Sequence, residues 1–284
     1  MEIIRSLEHL GINELYSAFG EAFKDYDIQI SQSELEIMIS RRGFVPGLSY
    51  GAFVDNRLVS FTLNGIGLFN GVKTAYDTGT GTIEAFRGKG LASRIFQYSV
   101  PELKKVGVKQ YLLEVLQHNT SAVSVYRKQG FRVNRKFNYF VESTANICLG
   151  NCNLPAGYRI QPIDLSQKER MIACQDFTPS WQNSFESVER RLPDFLIWGV
   201  FANEELAGYC IFEPNSGDIT QIAVHKDYRA QRLATCLIGE AVRFNLHKNL
   251  KLINTDIACE SIALWARHIG LTQQGKQFEM IKIL

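Results

Sequence analysis

Apolar residues recur at intervals of three and four over residues 12–24 and 31–42, which predicts two helices. The pattern then changes. Leu48–Val54 and Arg57–Leu63 are apolar, aromatic and β-branched runs separated by the turn signal Asp55-Asn56, so they predict a hairpin. Gly67–Gly71 reads as a further turn and Val72–Ile83 as a strand. Gly79 and Gly81 inside that strand weaken pairing, and such glycines mark a bulge or a close approach by another group. A helix follows to about Lys105, then a strand over Tyr111–Leu116. A helix over Ser121–Gln129 is closed by Gly130, and a strand runs over Arg132–Glu142. Asn146–Gly157 has no periodicity and carries three Asn, two Gly and one Pro, as a linker would.

Beyond the linker the order repeats. Gly157–Ile163 reads as a strand and Gln167–Arg191 as helical, interrupted near Pro179. Phe195–Phe201 and Leu206–Phe212 form a hairpin around Asn203-Glu204, and Ile219–Val224 is a strand. Ala230–Leu246 reads as a helix, Leu252–Ala258 as a strand and Ser261–His268 as a helix before Gly270. Two halves with one order of elements indicate a duplicated domain. The expected division is 1–145, a linker at 146–156, and 157–284. The length of 284 residues suits two domains of about 140 each.

Composition narrows the function. A net charge of +2, with 31 basic against 29 acidic residues, gives no electrostatic reason to expect a nucleic-acid partner. The N-terminus has no apolar core of the kind a signal peptide needs, and no run of about 18 uncharged apolar residues predicts a membrane span. The six cysteines lie at and beyond Cys148. Cys148 and Cys152 are four apart with no second Cys/His pair near them, so no zinc site is expected. Scattered thiols in a chain of this size suit a cytoplasmic protein.

One segment carries chemistry. Thr80–Ala92 reads strand, turn, glycine loop, helix. A helix N-terminus offers unpaired N–H groups and partial positive charge, and glycines let the backbone close on a phosphate. Arg87-Gly88-Lys89-Gly90-Leu91-Ala92 is neither a Walker loop nor the dinucleotide fingerprint. It resembles the [RQ]xxGx[GA] signature of the GNAT superfamily of N-acetyltransferases. Leu113-Glu114-Val115, Asn119, Ala122, Tyr126 and Gly130-Phe131 follow in that family's order and spacing.

The resemblance implies an α/β fold: two tandem GNAT domains, each a mixed, mostly antiparallel sheet flanked by helices. It implies that the loop Arg87, Gly88, Lys89, Gly90, Leu91, Ala92 binds the pyrophosphate of acetyl-CoA. Thr80 and Thr82, at the end of the preceding strand, would hold the pantetheine arm. Asn119 would contact the cofactor, cap its own helix, or both. Tyr126 would protonate the leaving thiolate and Glu114 would accept the amine's proton, with Asp77 the next candidate base and Glu84 a weaker one. The implied reaction is direct transfer of acetyl to a primary amine of a small molecule or peptide. It would need no metal and run in a monomer or homodimer, with the acceptor chosen by residues 12–45. A non-catalytic acyl-CoA sensor and transfer of a different acyl group are the alternatives. In the second half, Arg232 stands where the central loop glycine belongs, Asn254 at the Glu114 position, Cys259 at the Asn119 position and Ala266 at the Tyr126 position. That half is expected to be a degenerate copy which keeps the fold, binds no cofactor and has lost the reaction.

Overall fold

The structure is a computed structural model that describes residues 2–25, 29–150 and 152–284. Residues 26–28, inside the stretch expected to choose the acceptor, and Asn151, inside the expected linker, lie outside the described residues.

The elements in chain order begin with β1 (Glu2–Ser6), α1 (Ile12–Ala22) and α2 (Gln32–Arg41). They continue with β2 (Tyr50–Val54), β3 (Arg57–Phe69), β4 (Val72–Thr82), α3 (Leu91–Lys105) and β5 (Gln110–Leu116). Next come α4 (Thr120–Lys128), β6 (Arg132–Ser143), β7 (Tyr158–Pro162), α5 (Lys168–Cys174), α6 (Phe185–Arg190), β8 (Leu196–Ala202) and β9 (Glu205–Glu213). The chain closes with β10 (Asp218–Val224), α7 (Leu233–Val242), β11 (Asn249–Asp256), α8 (Glu260–His268) and β12 (Gln273–Ile283). Most patterned segments fold as their periodicity requires. Two strands escape the pattern. β1 is a short edge strand held to β2 by main-chain pairing, Glu2↔Val54 to Ser6↔Tyr50. β12 begins with polar residues and has no clean alternation. The turn expected at 67–71 is narrower than its glycines suggest: β3 continues through Gly65 and Gly67 to Phe69, and the reversal falls on Asn70 and Gly71, both in the left-handed region.

The chain forms two compact units. One comprises Met1–Asn134 with Phe278–Leu284, the other Arg135–Gln277. The chain therefore passes from one unit to the other twice, inside β6 and inside β12. A division at residue 145 would not separate them, because it leaves Arg135–Ser143 on one piece and Phe278–Leu284 on the other.

The first unit is α/β, with strands in the order β1-β2-β3-β4-β5 and the end of β12 beside β5. β1 to β4 are antiparallel, and β4–β5 is parallel. Alternation along β3 distributes its side chains to two layers. Phe61 and Leu63 pack with Leu15, Leu35 and Ile39 of α1 and α2, whereas Val59 packs with Leu91 and Ile95 of α3. α2 starts on a capping box: Ser31 accepts from the Glu34 N–H and the Ser31 N–H donates to the Glu34 carboxylate. Behind β5, Tyr111, Phe96 and Phe131 meet edge to face or tilted, together with Met280 of β12, which is fully buried.

The second unit repeats the plan. Its order is β6-β11-β10-β9-β8-β7, antiparallel except for β10–β11. Along β9, Leu206, Tyr209 and Ile211 face Met171, Cys174 and Val188 of α5 and α6. Ala207, Cys210 and Phe212 face Leu237 of α7 and Ala266 of α8.

Phe278 and Met280 belong to the first unit's core, so a fragment of residues 1–145 lacks them. Burying such side chains contributes roughly 1.5–3 kcal/mol each. The fragment is expected to be unstable or aggregated alone. A peptide of residues 273–284 should restore a cooperative melt, and a cooperative melt of 1–145 without the peptide would contradict the assignment of β12.

Candidate active site

The site follows from two irregularities of β4. The first is its pairing with β5, which covers Thr74↔Gln110, Ala75↔Tyr111 and Tyr76↔Leu112 and goes no further, although β4 continues to Thr82 and β5 to Leu116. The strands therefore part after Tyr76. The second is a bulge. Leu63 pairs with Gly79 and Asn64 with Asp77, so Thr78 is the extra residue. Its hydroxyl donates to the Leu63 carbonyl (3.0 Å), and Arg42 Nη1 donates to the Thr78 carbonyl (3.0 Å).

A bulge re-aims the side chains beside it, and here it gathers donors around Asp77. Asp77 Oδ2 accepts from Thr80 Oγ1 (2.8 Å) and the Tyr126 hydroxyl (3.3 Å), and Oδ1 accepts from the Gly79 N–H (3.0 Å). Burial disfavours the charged carboxylate and outweighs these donors and Arg42, so the Asp77 pKa rises from 3.8 to about 6. Tyr126 reaches Asp77 from α4, and its ring stands edge-on to Phe131 at 5.7 Å. α4 is set by Asn119, whose Oδ1 caps the helix by accepting from the Ala122 N–H (3.2 Å) and the Ser121 hydroxyl (3.0 Å).

Glu114 stands elsewhere. Its carboxylate is engaged with the hydroxyl of buried Tyr76, and burial together with that negative charge pushes the Tyr76 pKa far up. Tyr111, also buried with its pKa pushed up, donates to Asn64 Oδ1, and Asn64 Nδ2 donates to the Leu48 carbonyl (2.6 Å). The glycine expectation divides. Gly81 is a packing requirement: a Cβ there would lie 2.7 Å from Phe61 Cζ and 2.9 Å from Ala22 Cβ, so α1 and not a ligand excludes a side chain. Gly79 has ordinary room.

The loop beyond β4 is built for backbone exposure. Gly88 (φ 76°) and Gly90 (φ 71°) are both left-handed, and no atom lies within 4 Å of a Cβ built on either. The first N–H groups of α3 lack intrahelical acceptors. Arg87 is a brace: Nε donates to the Thr82 carbonyl (3.1 Å), Nη2 to the Ala22 carbonyl (2.9 Å), and Nη1 pairs with Asp25 (3.1 Å). Leu91 is buried and anchors the helix in the core, while the Lys89 ammonium lies 4.9 Å from the Phe86 ring. Thr82 Oγ1 meets Ser60 Oγ at 2.7 Å, so its side chain is spent within the sheet. Among the described residues no group of three or more His, Cys, Asp or Glu is arranged to hold a metal ion, and no helix is long and apolar enough to cross a membrane.

The chain has counterparts among known proteins. The profile of the acetyltransferase (GNAT) family matches residues 12–131 and 167–270. The chain belongs to this family. An uncharacterized N-acetyltransferase YdgE of Bacillus subtilis is 39% identical over 59 residues, 21% of this chain and 38% of that protein. N-alpha-acetyltransferase 30 of Schizosaccharomyces pombe is 32% identical over 63 residues, 22% of this chain and 42% of that protein. The matches thus span less than half the length of these relatives. A tandem GNAT protein from the clavulanic acid biosynthesis pathway superimposes with a TM-score of 0.74 at 12% identity, covering 100% of this chain and 98% of that one. A GCN5-related N-acetyltransferase from Sphaerobacter thermophilus gives 0.73 at 15%, covering 99% and 95%. At these identities the structures establish a shared fold: α/β, mixed and mostly antiparallel, in tandem.

Asp77 makes the first unit's stability depend on pH. Its folded pKa lies above the unfolded value, so the folded state holds a proton that the unfolded chain releases between about pH 3.8 and 6. Stability falls as pH rises through that window, and the cost, up to about 3 kcal/mol, is complete above it. Asp77→Asn removes the charge but turns one oxygen into a donor, so its benefit is smaller. Relative to wild type, the variant's Tm should improve between pH 4 and pH 7.5. A pH-independent difference would show that Asp77 titrates normally.

Proposed function

We propose that the first unit is the catalytic domain of an acetyl-CoA-dependent N-acetyltransferase acting on a primary amine of a small molecule or peptide. The observation that carries this reading is the Tyr126 hydroxyl bonded to Asp77 where β4 and β5 part. An acid and a base in contact, beside a glycine loop that opens a helix, suit acyl transfer from a thioester. The pyrophosphate would lie on the N–H groups from Gly88 to Ala92, with the pantetheine arm along the main chain at Thr80 and Thr82 in the gap between the strands.

The amine attacks the thioester carbonyl carbon and a C–N bond forms. The proton leaving nitrogen passes to Asp77. The C–S bond then breaks, Tyr126 gives its proton to the sulfur, and Asp77 returns the proton to Tyr126. The amide and free CoA thiol are the products, and the enzyme is restored. A carboxyl titrating at about 6 is suited to both directions of this relay near neutral pH. Glu114, committed to Tyr76, acts by holding the wall of the gap, and Asn119 by holding α4. Much of the rate comes from placing amine and thioester together. A non-catalytic sensor would have no use for the Asp77–Tyr126 pair, which favours turnover over that alternative.

Tyr126→Phe is expected to lower kcat on the order of 10²-fold, with acetyl-CoA affinity nearly kept. The assay is CoA thiol release from acetyl-CoA over a panel of amines. For Asp77→Asn, the ratio of wild-type to variant kcat/KM should climb as pH rises through about 6 and then level. A ratio independent of pH removes Asp77 from the base role. Full activity in Tyr126→Phe removes the hydroxyl from the acid role.

A further inference from the structure

The end of α2 delivers one side chain to the bulge that aims Asp77. The helix closes on a Schellman turn. The Gly43 N–H donates to the Ser40 carbonyl (3.0 Å) and the Phe44 N–H to the Ile39 carbonyl (3.0 Å), with Gly43 left-handed (φ 79°). Ile39 and Phe44 pack in one apolar cluster, which fixes the direction in which the chain leaves the helix. It then lies against β3. Phe44 bridges to Gly65, the Val45 N–H donates to the Asn64 carbonyl (2.9 Å), and the Ile66 N–H donates to the Gly43 carbonyl (2.9 Å). The approach is close enough to require glycine at 65. A Cβ there would lie 2.1 Å from the Arg42 carbonyl oxygen and 3.2 Å from Thr78 Cγ2. Arg42 is thereby seated on β3 beside the bulge.

From that seat the half-buried side chain reaches β4, where Nη1 donates to the Thr78 carbonyl (3.0 Å). A bulged residue falls outside the regular ladder, so its main-chain groups need other partners, and a charged donor makes the stronger bond. Thr78 is thus held twice, at its carbonyl by Arg42 and through its hydroxyl by the Leu63 carbonyl. Asp77 and Gly79 flank it and are held with it. The groups that face Asp77 are Arg42 from the end of α2, Tyr126 from α4 and Tyr111 from β5, with Tyr76 beside it on β4 engaged by Glu114. Of these Arg42 is cationic, and it favours the Asp77 carboxylate against burial.

The second unit keeps the backbone without the carboxylate. Elements through the glycine loop repeat at an offset of 142 residues. Ile219 pairs with Phe212 and Gln221 with Ile211, which makes Thr220 the extra residue, and β10 pairs with β11 at Asp218↔Lys251 before the two part. Arg229 repeats the brace of Arg87, with Nε donating to the Val224 carbonyl (3.0 Å), and Ala230 (φ 60°) and Arg232 (φ 63°) repeat the left-handed loop. Ile219, however, stands at the Asp77 position and Ala266 at the Tyr126 position. There the Thr220 hydroxyl donates to Asp218 Oδ2 (2.9 Å) within its own strand, whereas the Thr78 hydroxyl donates across to β3. The tie across the sheet accompanies Asp77, not the bulge as such.

We infer that Arg42 is a positioning residue for the proposed acyl transfer: it pins the Thr78 bulge and, through the bulge, holds the Asp77 carboxylate against the Tyr126 hydroxyl. The inference rests on the roles proposed above for Asp77 and Tyr126. It brings the end of α2, which supplies neither acid nor base, into the proton relay.

The test compares Arg42→Met, which removes hydrogen bond and charge, with Arg42→Lys, which keeps the charge. Two readouts are taken on the full chain. The first is carboxyl NMR of Asp77 across pH, its signal identified by its loss in Asp77→Asn. Wild type should titrate at about pH 6, Arg42→Met higher, because a cation that favours the carboxylate is gone, and Arg42→Lys close to wild type. The second is CoA thiol release. Arg42→Met should lower kcat by roughly 10-fold with the acetyl-CoA KM nearly kept, since misplacement costs rate and not cofactor binding. Its acidic limb of kcat/KM should move up in step with the NMR titration, and Arg42→Lys should return the limb and part of the rate. An unchanged titration and unchanged kcat in Arg42→Met, with a lower Tm alone, overturns the positioning role and leaves the proposed function standing. A raised titration in Arg42→Met, when wild type releases no CoA thiol with any amine, upholds the hold of Arg42 on Asp77 and overturns the proposed function. Arg42→Gln, which leaves a polar group at the half-buried position, takes the place of Arg42→Met if that variant does not melt cooperatively.

Discussion

A parallel strand pair that stops early is the constraint on which the site depends. β4 and β5 pair as far as Tyr76 and Leu112 and then separate. Main-chain groups are obligatory hydrogen-bonding groups, so a gap inside a sheet is costly unless something else satisfies them. The bulge at Thr78 makes the gap possible by bending β4 while its other edge stays paired to β3. The same bulge turns Asp77 toward Thr80, the Gly79 N–H and Tyr126, so one backbone irregularity opens the gap and arms its edge.

Around that gap the roles divide by what each side chain already does. Arg87 braces the loop, Asn119 caps a helix, Leu91 holds α3 in the core, and Glu114 is committed to Tyr76. These residues keep the site rigid. The groups proposed to exchange protons are Asp77 and Tyr126, and burial raises the pKa of the first to about 6. The proposed relay uses that pair because the two are in contact.

The two units show which parts of a repeat resist change. Bulge, strand divergence, arginine brace and left-handed loop are all backbone features, and each recurs in the second unit with different side chains. The carboxylate and the phenol do not recur. Backbone geometry is held by the packing of whole layers and changes only when the layers change. The side chains proposed to be catalytic can be replaced by Ile219 or Ala266 at little cost to the core, since both are buried there.

The sequence by itself determined the α/β alternation, the duplication, the glycine loop and the family's markers, because these depend on periodicity and on residue types at short spacing. Tyr126, Gly88 and Gly90 could be picked out that way. Other features needed the tertiary structure. β1 and β12 are strands because neighbours offer them main-chain partners, which no local pattern records. The units exchange segments within β6 and β12, so a linker read from composition at 146–156 does not mark where either unit ends. Asp77 and Glu114 are both carboxylates on the two strands that part, and the family resemblance favoured Glu114. The bulge at Thr78 and the hydroxyl of Tyr76 give Asp77 the contact with Tyr126, because the direction of a side chain beside a bulge is set by strand register across the sheet and not by its place along the chain.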